Sequence, residues 1–394
     1  MCGIAGFWDR GPLRSEQAHS RLVAMTQTLR HRGPDDSGEF LEEAAGLALG
    51  ARRLAIVDLS ALGHQPMSSP DGRYVLAFNG EIYNFSDLRR ELEAAGVRFS
   101  GGSDTEVLVA AVQQWGLHEA LVRSNGMFAL ALWDRRDRRL HLARDRFGEK
   151  PLYSGWAGHC LLFGSELKAL RAHPAFDGGI DRDALALYFR HNCIPAPYSI
   201  YRDTAKLPPA SIVTIEESTT AGATLTPVPY WSLGDVAEAG TTSRVRSTVD
   251  DATDALDATL RRSVGLRMHA DVALGAFLSG GIDSSLVVAL MQAQHTSKVQ
   301  TFTIAFEDAT YDEAPFARAV ADHLGTEHHE LVVTWRDALD VVPRLPEIYD
   351  EPFADSSQIP TTVLARLTRA HVTVALSGDG GDELFGGYNR YAWA

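Results

Sequence analysis

Cys2 follows the initiator methionine directly in the opening stretch MCGIAGFWDR. Removal of Met1 would leave a first residue that carries both a thiol and a free α-amine. The α-amine has an ordinary pKa of about 7.7–8.0, which suits a general base at neutral pH. A terminal nucleophile that uses its own amine as base can attack an amide carbonyl. The alternative interpretation is a small core cysteine at an accidental position.

Four further residues have the chemistry that hydrolysis of an amino-acid amide requires. Arg53 in "ARRLAIVD" offers a planar guanidinium that can bind an α-carboxylate through two hydrogen bonds. Asp104 in "GGSDTE" offers a carboxylate for an α-ammonium group. Asn79 and Gly80 in "FNGEIYN" offer a side-chain amide and a backbone N–H for an oxyanion. Each also has an ordinary interpretation: a surface arginine, a first-turn helix acid, and the Asn-Gly turn of a hairpin.

Two glycine-rich stretches in the second half follow apolar runs. The first, "LSGGIDSS" at 278–285, predicts a strand-to-helix loop whose N–H groups could hold an anion, but it lacks the lysine of a Walker P-loop. The second, "LSGDGGDELFGGYNRY" at 376–391, contains Asp379 and Asp382. Ligands bind at the carboxyl ends of strands in parallel sheets, and carboxylates suit hard cations. The ordinary interpretation of these stretches is a polar turn. Asp283, which lies in the first stretch, could likewise be an ordinary acid at the start of a helix.

The elements that must position these residues differ between the two halves. Up to about residue 205, strand-like runs such as "GRYVLAFNG" and "GMFALALWD" outnumber helices such as "DTEVLVAAVQQW". This half is predicted to be an α+β domain with antiparallel sheet. From about residue 255, strands and helices alternate, which predicts a doubly wound parallel α/β sheet. We expect domains at 1–210 and 251–394, joined by a Thr-, Ser-, Gly- and Pro-rich linker at 211–250.

Composition narrows the function classes. The chain has 394 residues, of which 45% are hydrophobic, which is enough apolar mass for at least two cores. A formal net charge of −14 argues against a nucleic-acid partner. Three cysteines, no signal-peptide pattern and no apolar run of about 20 residues predict a cytoplasmic protein that does not enter a membrane.

Six segments, in this order, resemble the glutamine amidotransferase domain of asparagine synthetases and related N-terminal-nucleophile enzymes. They are "MCGIAGF", "RHRGPDD", "RLAIVD", "FNGEIYN", "GSDTE" and "RDRFGEKPLY", spread over roughly residues 2–200. The resemblance implies an antiparallel sandwich of the N-terminal-nucleophile hydrolase type, in which Cys2 attacks glutamine's side-chain amide, releases ammonia and forms a thioester that water hydrolyses. It implies these roles: Arg53 for the carboxylate, Asp104 for the amine, Asn79 and Gly80 for the oxyanion, and Ile56, Val57 and Glu81 for the rest of the pocket.

The motif S-G-G-x-D-S resembles the pyrophosphate loop of ATP pyrophosphatases. With "DEPFADSS" at 350–357, the second glycine-rich stretch resembles the ATP and acceptor site of asparagine synthetases. The resemblance implies that ATP adenylates a carboxylate, and that ammonia arriving through a dry internal passage attacks the adenylate. The implied ATP contacts are Leu278, Ser279, Gly280, Gly281, Asp283, Ser284, Ser285, Ser377 and Gly378. Asp283 and Asp382 are the implied magnesium ligands, and Asp379 an acid/base group.

The implied activity is that of a glutamine-hydrolysing asparagine synthase. Its implied small-molecule partners are glutamine, ATP and aspartate, and the sequence leaves open whether the protein forms a homodimer. One departure is that no lysine follows Lys298, whereas asparagine synthetases have a downstream lysine that stabilises charge on the phosphates. We therefore expect an incomplete synthetase half. The alternatives are amidation of another carboxylate in a cell-wall or secondary-metabolite precursor, a β-lactam-forming relative, a non-catalytic regulatory or truncated partner protein, and a fragment with glutaminase activity only.

Overall fold

The structure is a computed structural model that describes residues 2–11, 15–244, 247–306 and 312–392. Contacts within the chain divide it into two units. Unit 1 comprises Met1–Arg244 together with Tyr349–Ala354, and unit 2 comprises Val245–Ile348 and Asp355–Ala394. Six residues from late in the sequence therefore pack with the first half of the chain.

The strands of unit 1 form two six-stranded antiparallel sheets. The first has the order β10 (Thr204–Lys206), β8 (Tyr153–Ala157), β9 (Cys160–Gly164), β1 (Gly3–Asp9), β3 (Leu47–Arg53), β2 (Asp36–Glu42). The second has the order β12 (Val228–Pro229), β11 (Ser211–Glu216), β7 (Arg139–Arg144), β6 (Gly126–Asp134), β5 (Tyr74–Ile82), β4 (Met67–Ser68). The described helices of unit 1 are α1 (Ser15–Gln27), α2 (Phe85–Ala94), α3 (Asp104–Trp115), α4 (Leu117–Arg123), α5 (Leu167–Arg171), α6 (Arg182–His191) and α7 (Leu233–Thr242), with 3-10 turns at Glu43–Ala45 and Ala61–Gly63.

The two sheets pack face to face, and helices cover their outer faces. Between the sheets, Trp8 and Trp133 meet edge to face with ring centroids 5.0 Å apart, within a core of aliphatic residues from both sheets. Helices α1 and α5 pack on the outer face of the first sheet, and α2, α3 and α4 on that of the second. This helix–sheet–sheet–helix layering confirms the expected antiparallel sandwich.

Strand β1 lies inside the first sheet, between β9 and β3, and each of its seven residues is buried. Its side chains alternate between two cores, as the period of a strand requires. Ile4 and Trp8 pack between the sheets, whereas Ala5 and Phe7 pack against the helical layer. Cys2 immediately precedes this buried strand, so the pairing of β1 determines where the thiol lies.

Unit 2 contains a four-stranded parallel sheet with the order β15-β14-β13-β16. Its strands are β13 (Leu274–Phe277), β14 (Gln300–Phe306), β15 (Glu327–Val333) and β16 (Val374–Leu376). The described helices are α8 (Val249–Arg267), α9 (Ile282–Gln294), α10 (Ala314–Leu324), α11 (Trp335–Val341), α12 (Leu345–Tyr349), α13 (Gln358–Thr368) and α14 (Gly381–Phe385), with 3-10 turns at Val342–Arg344 and Asn389–Ala392. Within the described residues of the whole chain, no helix has both the length and the hydrophobicity needed to cross a bilayer.

The strand order of unit 2 reverses between β13 and β16. The chain winds from β13 outward to β14 and β15, then returns to place β16 on the other side of β13. This confirms the predicted doubly wound parallel sheet. Ligands of such sheets bind at the carboxyl ends of the strands, where the order reverses. The two glycine-rich loops follow β13 and β16, so the topology brings both to this point.

Segment 211–250 differs from the linker that its composition predicts. Strand β11 pairs with β7, and β12 pairs with β11, so residues 211–229 complete the second sheet. Val213 and Ile215 bury their side chains between the sheets, while Ile212 on the opposite face packs against the other core of the second sheet. Thr, Ser, Gly and Pro dominate the surrounding sequence, and they obscure this short strand pattern.

Candidate active site and nucleotide-binding loops

One cavity of unit 1 brings together every residue expected to bind glutamine. The members from the sequence prediction are Cys2, Arg53, Ile56, Val57, Asn79, Gly80, Glu81 and Asp104. They come from the start of β1, the end of β3 and the loop after it, the later part of β5, and the start of α3. Elements far apart in sequence therefore converge on one cavity.

The Cys2 thiol lies against the backbone of Leu54. The Leu54 N–H donates to Sγ over 3.4 Å, and Sγ lies 3.7 Å from the Leu54 carbonyl oxygen. Burial raises the pKa of the Cys2 thiol, and the hydrogen bond from Leu54 only partly opposes this effect. The thiol therefore needs a base to become a nucleophile near neutral pH.

Arg53 is a buried residue and not the surface arginine of the ordinary interpretation; only 8% of it is exposed. Its guanidinium donates to the carbonyl oxygens of Ser60 at 3.2 Å, Val57 at 3.3 Å and Asp58. A side chain at Gly63 would collide with this guanidinium. The loop after β3 therefore holds the cation in place through neutral carbonyls, and its charge stays available to a substrate carboxylate.

Asp104 is the first residue of α3 and is almost fully buried. Ser103 caps the helix by accepting a hydrogen bond from Glu106 N–H at 3.2 Å, while the Asp104 carboxylate accepts from Ile82 N–H at 2.9 Å. Burial raises the pKa of Asp104 to about 6, although the N–H groups of Ile82 and Thr105 and the charge of Arg53 pull it down. A buried carboxylate with so little compensation would be stabilised by a substrate ammonium group.

Asn79 and Gly80 lie inside strand β5, opposite Ala129 and Phe128 of β6, and do not form a hairpin turn. The Asn79 amide is fully buried, its Oδ1 atom has no partner within the described structure, and its Nδ2 atom has only a long 3.4 Å contact to Ser165 Oγ. Any side chain at Gly80 would collide with the backbone of β6. The amide is thus positioned but weakly engaged, as an oxyanion donor would be.

Other lining residues escaped the sequence interpretation. They include Lys150, Gln65, Thr105 and Met127. Gln65 accepts from Phe78 N–H at 2.8 Å and donates to Thr105 Oγ1 at 3.3 Å, which braces the wall of the cavity. Lys150 is 5% exposed, and burial lowers its pKa. Lys150 belongs to the segment "RDRFGEKPLY", which contributes to the family resemblance but does not by itself place this lysine in the cavity. No motif in the sequence pointed to Gln65.

In unit 2, the loop between β13 and α9 is held by serine hydroxyls. Ser279 N–H donates to Ser284 Oγ at 3.2 Å, and the two hydroxyl oxygens lie 3.0 Å apart. Ser285 Oγ is buried and has no hydrogen-bond partner within the described residues. Helix α9 begins at Ile282 without a side-chain cap, so its first N–H groups are available to an anion.

The second glycine-rich loop packs directly on the first. A side chain at Gly378 would meet Ser284 N and the Asp283 side chain, and one at Gly381 would collide with the Asp283 carboxylate. Ser377 Oγ donates to Asp379 at 2.9 Å, and Asp379 is exposed. No group of three or more His, Cys, Asp or Glu side chains that could hold a metal occurs in the described part of the chain. Asp382 directly follows Gly381, against which the Asp283 carboxylate packs, and Mg²⁺ on a nucleotide usually needs only one or two carboxylates besides phosphate oxygens.

A cavity of about 650 Å³ opens beside the first of these loops, within unit 2. Leu278 and Ser279 line it, together with Phe302, Phe306 and Trp335. Its apolar and aromatic walls suit a heteroaromatic ring. The other predicted ATP contacts, at Gly280, Gly281, Asp283, Ser284, Ser285, Ser377 and Gly378, lie in the two loops and do not line this cavity.

The antiparallel sandwich and the cavity at Cys2 are those of a glutamine amidotransferase domain. A family model described as "Glutamine amidotransferase domain" matches residues 1–231. A second model, "Asparagine synthase", matches residues 255–394. The chain belongs to the family of glutamine-hydrolysing asparagine synthetases.

Two relatives illustrate the similarity. Asparagine synthetase [glutamine-hydrolyzing] 1 of Bacillus subtilis is 38% identical over 99% of this chain and 59% of its own length. A putative asparagine synthetase [glutamine-hydrolyzing] 2 of Methanocaldococcus jannaschii is 36% identical over 98% of this chain and 76% of its own length. The chain thus spans about three fifths of the Bacillus relative.

Because burial raises the pKa of Asp104 to about 6, protonation below that pH should remove its charge. In a Cys2→Ala background, which cannot turn over, we expect the Kd for glutamine to rise as pH falls through about 6. Asp104→Asn should weaken binding by roughly tenfold or more and abolish this pH step, since hydrogen bonds to charged groups contribute about 1.5–3 kcal/mol. Titration calorimetry from pH 5 to 8 measures both effects. Asp87→Asn, at a half-exposed first-turn acid of α2, should keep the step; a step that persists in Asp104→Asn contradicts the assignment.

Proposed function

We propose that unit 1 hydrolyses glutamine at Cys2 and that unit 2 uses the released ammonia to amidate a carboxylate activated by ATP. The observation that carries the first part is the convergence of a terminal thiol, a buried guanidinium and a poorly compensated buried carboxylate on one cavity. These groups match the thioester chemistry, the α-carboxylate and the α-ammonium of free glutamine.

In the proposed hydrolysis, the α-amine of Cys2 takes the thiol proton, and the thiolate attacks the side-chain carbonyl carbon of glutamine. The Asn79 amide and the Gly80 N–H stabilise the oxyanion that forms. The protonated amine then gives its proton to the leaving nitrogen, so ammonia departs and a glutamyl thioester remains. Water, deprotonated by the same amine, hydrolyses the thioester to glutamate and restores the thiol.

In the proposed synthesis, the N–H groups and hydroxyls of loop 278–285 bind the phosphates of ATP, and the neighbouring cavity takes the adenine. A magnesium ion held by Asp283 and Asp382 would neutralise charge on the leaving pyrophosphate. The substrate carboxylate attacks the α-phosphate, and ammonia then displaces AMP from the acyl-adenylate to give the amide. Asp379 is the proposed acid/base group for this step.

Aspartate is the proposed acceptor, which would make asparagine the product. Support comes from the names of the relatives, which are asparagine synthetases. Other carboxylates, as in cell-wall or secondary-metabolite precursors, would use the same adenylation chemistry. We place the reaction in the cytoplasm, since all three cysteines are free thiols, as a reducing compartment favours.

Replacing the nucleophile separates the two reactions. Cys2→Ala should abolish ammonia release from glutamine, by more than about 10³-fold, because the covalent step is lost. AMP formation supported by added ammonium should stay at the wild-type level. Cys193→Ala, a free cysteine that does not line the cavity, is the matched control and should retain glutaminase activity. Glutaminase activity that survives Cys2→Ala would refute the assignment.

Asp283→Asn addresses the nucleotide loop. The substitution removes the charge of a carboxylate that packs against Gly381, so AMP and pyrophosphate formation should fall by at least about 10²-fold while glutamine hydrolysis persists. Asp257→Asn, at an exposed acid on α8, is the control and should change neither reaction. A parallel collapse of glutamine hydrolysis in Asp283→Asn would contradict the division of the chemistry between two sites.

The acceptor is tested directly by supplying ATP, magnesium and ammonium with a panel of carboxylates headed by aspartate. We expect AMP, pyrophosphate and asparagine with aspartate, measured by chromatography and mass spectrometry. Product with a different carboxylate would replace aspartate as the substrate. If no carboxylate yields AMP, the proposed synthesis by this chain is wrong and only glutamine hydrolysis stands.

A further inference from the structure

A six-residue segment from the second half of the sequence belongs by its contacts to unit 1. Tyr349–Ala354, which we term the acidic clip, is preceded and followed by chain of unit 2. Its two acidic residues, Asp350 and Glu351, have side chains that are only 7% and 9% exposed. Buried carboxylates need compensating charge. The residues that pair with Asp350 and Glu351 therefore indicate the role of the clip.

Glu351 anchors the clip. Its carboxylate accepts from Ile200 N–H at 2.9 Å and pairs with Lys206 Nζ at 2.6 Å. The Ala354 N–H donates to the Asn192 carbonyl oxygen at 2.8 Å. These contacts involve the region after α6 and strand β10, and none of them reaches the glutamine cavity.

Asp350 is engaged differently, because its carboxylate binds one residue twice. It accepts from Lys168 N–H at 2.9 Å and pairs with Lys168 Nζ at 3.1 Å. The backbone of Asp350 is left-handed, with φ of +50°, a conformation that a non-glycine residue rarely adopts. Both of these contacts of the Asp350 carboxylate are made to Lys168, one to its backbone and one to its side chain.

Lys168 connects the clip to the start of the chain. Its Nζ lies 2.5 Å from Glu166 Oε2, and Glu166 Oε1 accepts from Arg32 Nη1 at 2.6 Å. Arg32 Nε then donates to the carbonyl oxygen of Cys2 at 2.9 Å. A continuous series of charged contacts thus leads from Asp350 to the backbone of the residue that carries the thiol and the α-amine.

The charges in this series compensate one another. Burial alone would raise the pKa of Glu166, but the hydrogen bond from His31 and the charges of Arg32 and Lys168 lower it to about 2. Burial raises the pKa of Asp350, and Lys168 opposes that effect. Without Lys168, these two buried carboxylates would share one region with only Arg32 and His31, both of which contact Glu166. The lysine is therefore the member on which both acids depend.

Lysine is rare in this protein, which has only four, at positions 150, 168, 206 and 298. Two of these four bind the clip, one at each of its acidic residues. By resemblance to family motifs, Asp350 and Glu351 would be grouped with the acceptor site, but their carboxylates are committed to unit 1. Both carboxylates therefore make their ion pairs and hydrogen bonds with residues of unit 1.

We propose that Asp350 and Lys168 are positioning residues for glutamine hydrolysis, which orient Cys2 through Glu166 and Arg32. This inference rests on the proposed function of unit 1 and deepens it. Cys2 has no residue before it once Met1 is removed, so its carbonyl oxygen is one of the few points at which its backbone can be held. The glutaminase site is then complete only when the clip from the second half of the sequence is in place.

The experiment uses the full chain with Asp350→Asn, Lys168→Met and the double variant. Asparagine tolerates the left-handed backbone at position 350, so Asp350→Asn should fold. We expect kcat for glutamine hydrolysis to fall between about tenfold and a hundredfold, as when a reacting group is misplaced, with KM within about twofold, because Arg53 and Asp104 are untouched. The double variant should be no worse than Lys168→Met, since both residues act through one contact.

Two further variants separate positioning from general stability. Lys168→Arg keeps the cation and should recover most of kcat, whereas Lys298→Met removes the exposed lysine of unit 2 and should change nothing. Each variant's unfolding temperature is measured alongside. The inference is overturned if kcat is unchanged in Asp350→Asn, if KM rises in place of the fall in kcat, or if Lys168→Arg is as impaired as Lys168→Met.

The rate at which iodoacetamide alkylates Cys2, followed by mass spectrometry, reports on the thiol without any turnover. We expect this rate to change in Asp350→Asn and Lys168→Met and to match the wild type in Lys298→Met. A wild-type chain that releases no ammonia from glutamine, yet shows these alkylation changes, would refute the proposed function and leave the positioning intact. A chain with normal glutaminase activity and no response to the clip variants would refute this inference alone.

Discussion

Strand β1 is buried on both of its faces, and the placement of the Cys2 thiol depends on that burial. Ile4 and Trp8 bury their side chains between the sheets and Phe7 does so under the helical layer, and full burial of a large apolar side chain contributes about 1.5–3 kcal/mol. A strand so strongly held has one register, since a shift by one residue would exchange its two faces. Cys2 therefore lies at a defined point, beside the ends of β3 and β5 and the start of α3.

A second constraint is that buried charges need partners. Two buried carboxylates of unit 1 differ strongly in the partners they have and therefore in their pKa. Burial acts on both Glu166 and Asp104 in the same direction. Glu166 faces Arg32 and Lys168, and its pKa falls to about 2, whereas Asp104 has mainly backbone N–H partners, and its pKa rises to about 6. A compensated acid holds structure together. An uncompensated acid in a cavity is stabilised by a cationic ligand, which is the property expected of a binding site.

Unit 2 positions its loops by topology more than by side-chain pairing. Reversal of the strand order between β13 and β16 places two glycine-rich loops side by side, where Gly381 leaves room for the Asp283 carboxylate and Gly378 for the backbone of Ser284. In the described part of the chain, Ser285 Oγ has no hydrogen-bond partner and helix α9 begins without a side-chain cap, while the adjacent cavity offers apolar walls. Such a division suits a ligand with an anionic end and an aromatic end.

Local periodicity in the sequence predicted the two fold classes, and resemblance to known motifs predicted Cys2, Arg53, Asn79 and Asp104 as site residues, which the structure brings to one cavity. Only the tertiary structure decided that Asn79-Gly80 lies within a strand, that 211–229 completes a sheet, and that Lys150 lines the cavity. The acidic clip was equally hidden, since Asp350 lies 182 residues from the lysine that it binds. Contacts over such separations depend on packing and charge compensation between elements, and no local pattern of residues encodes them.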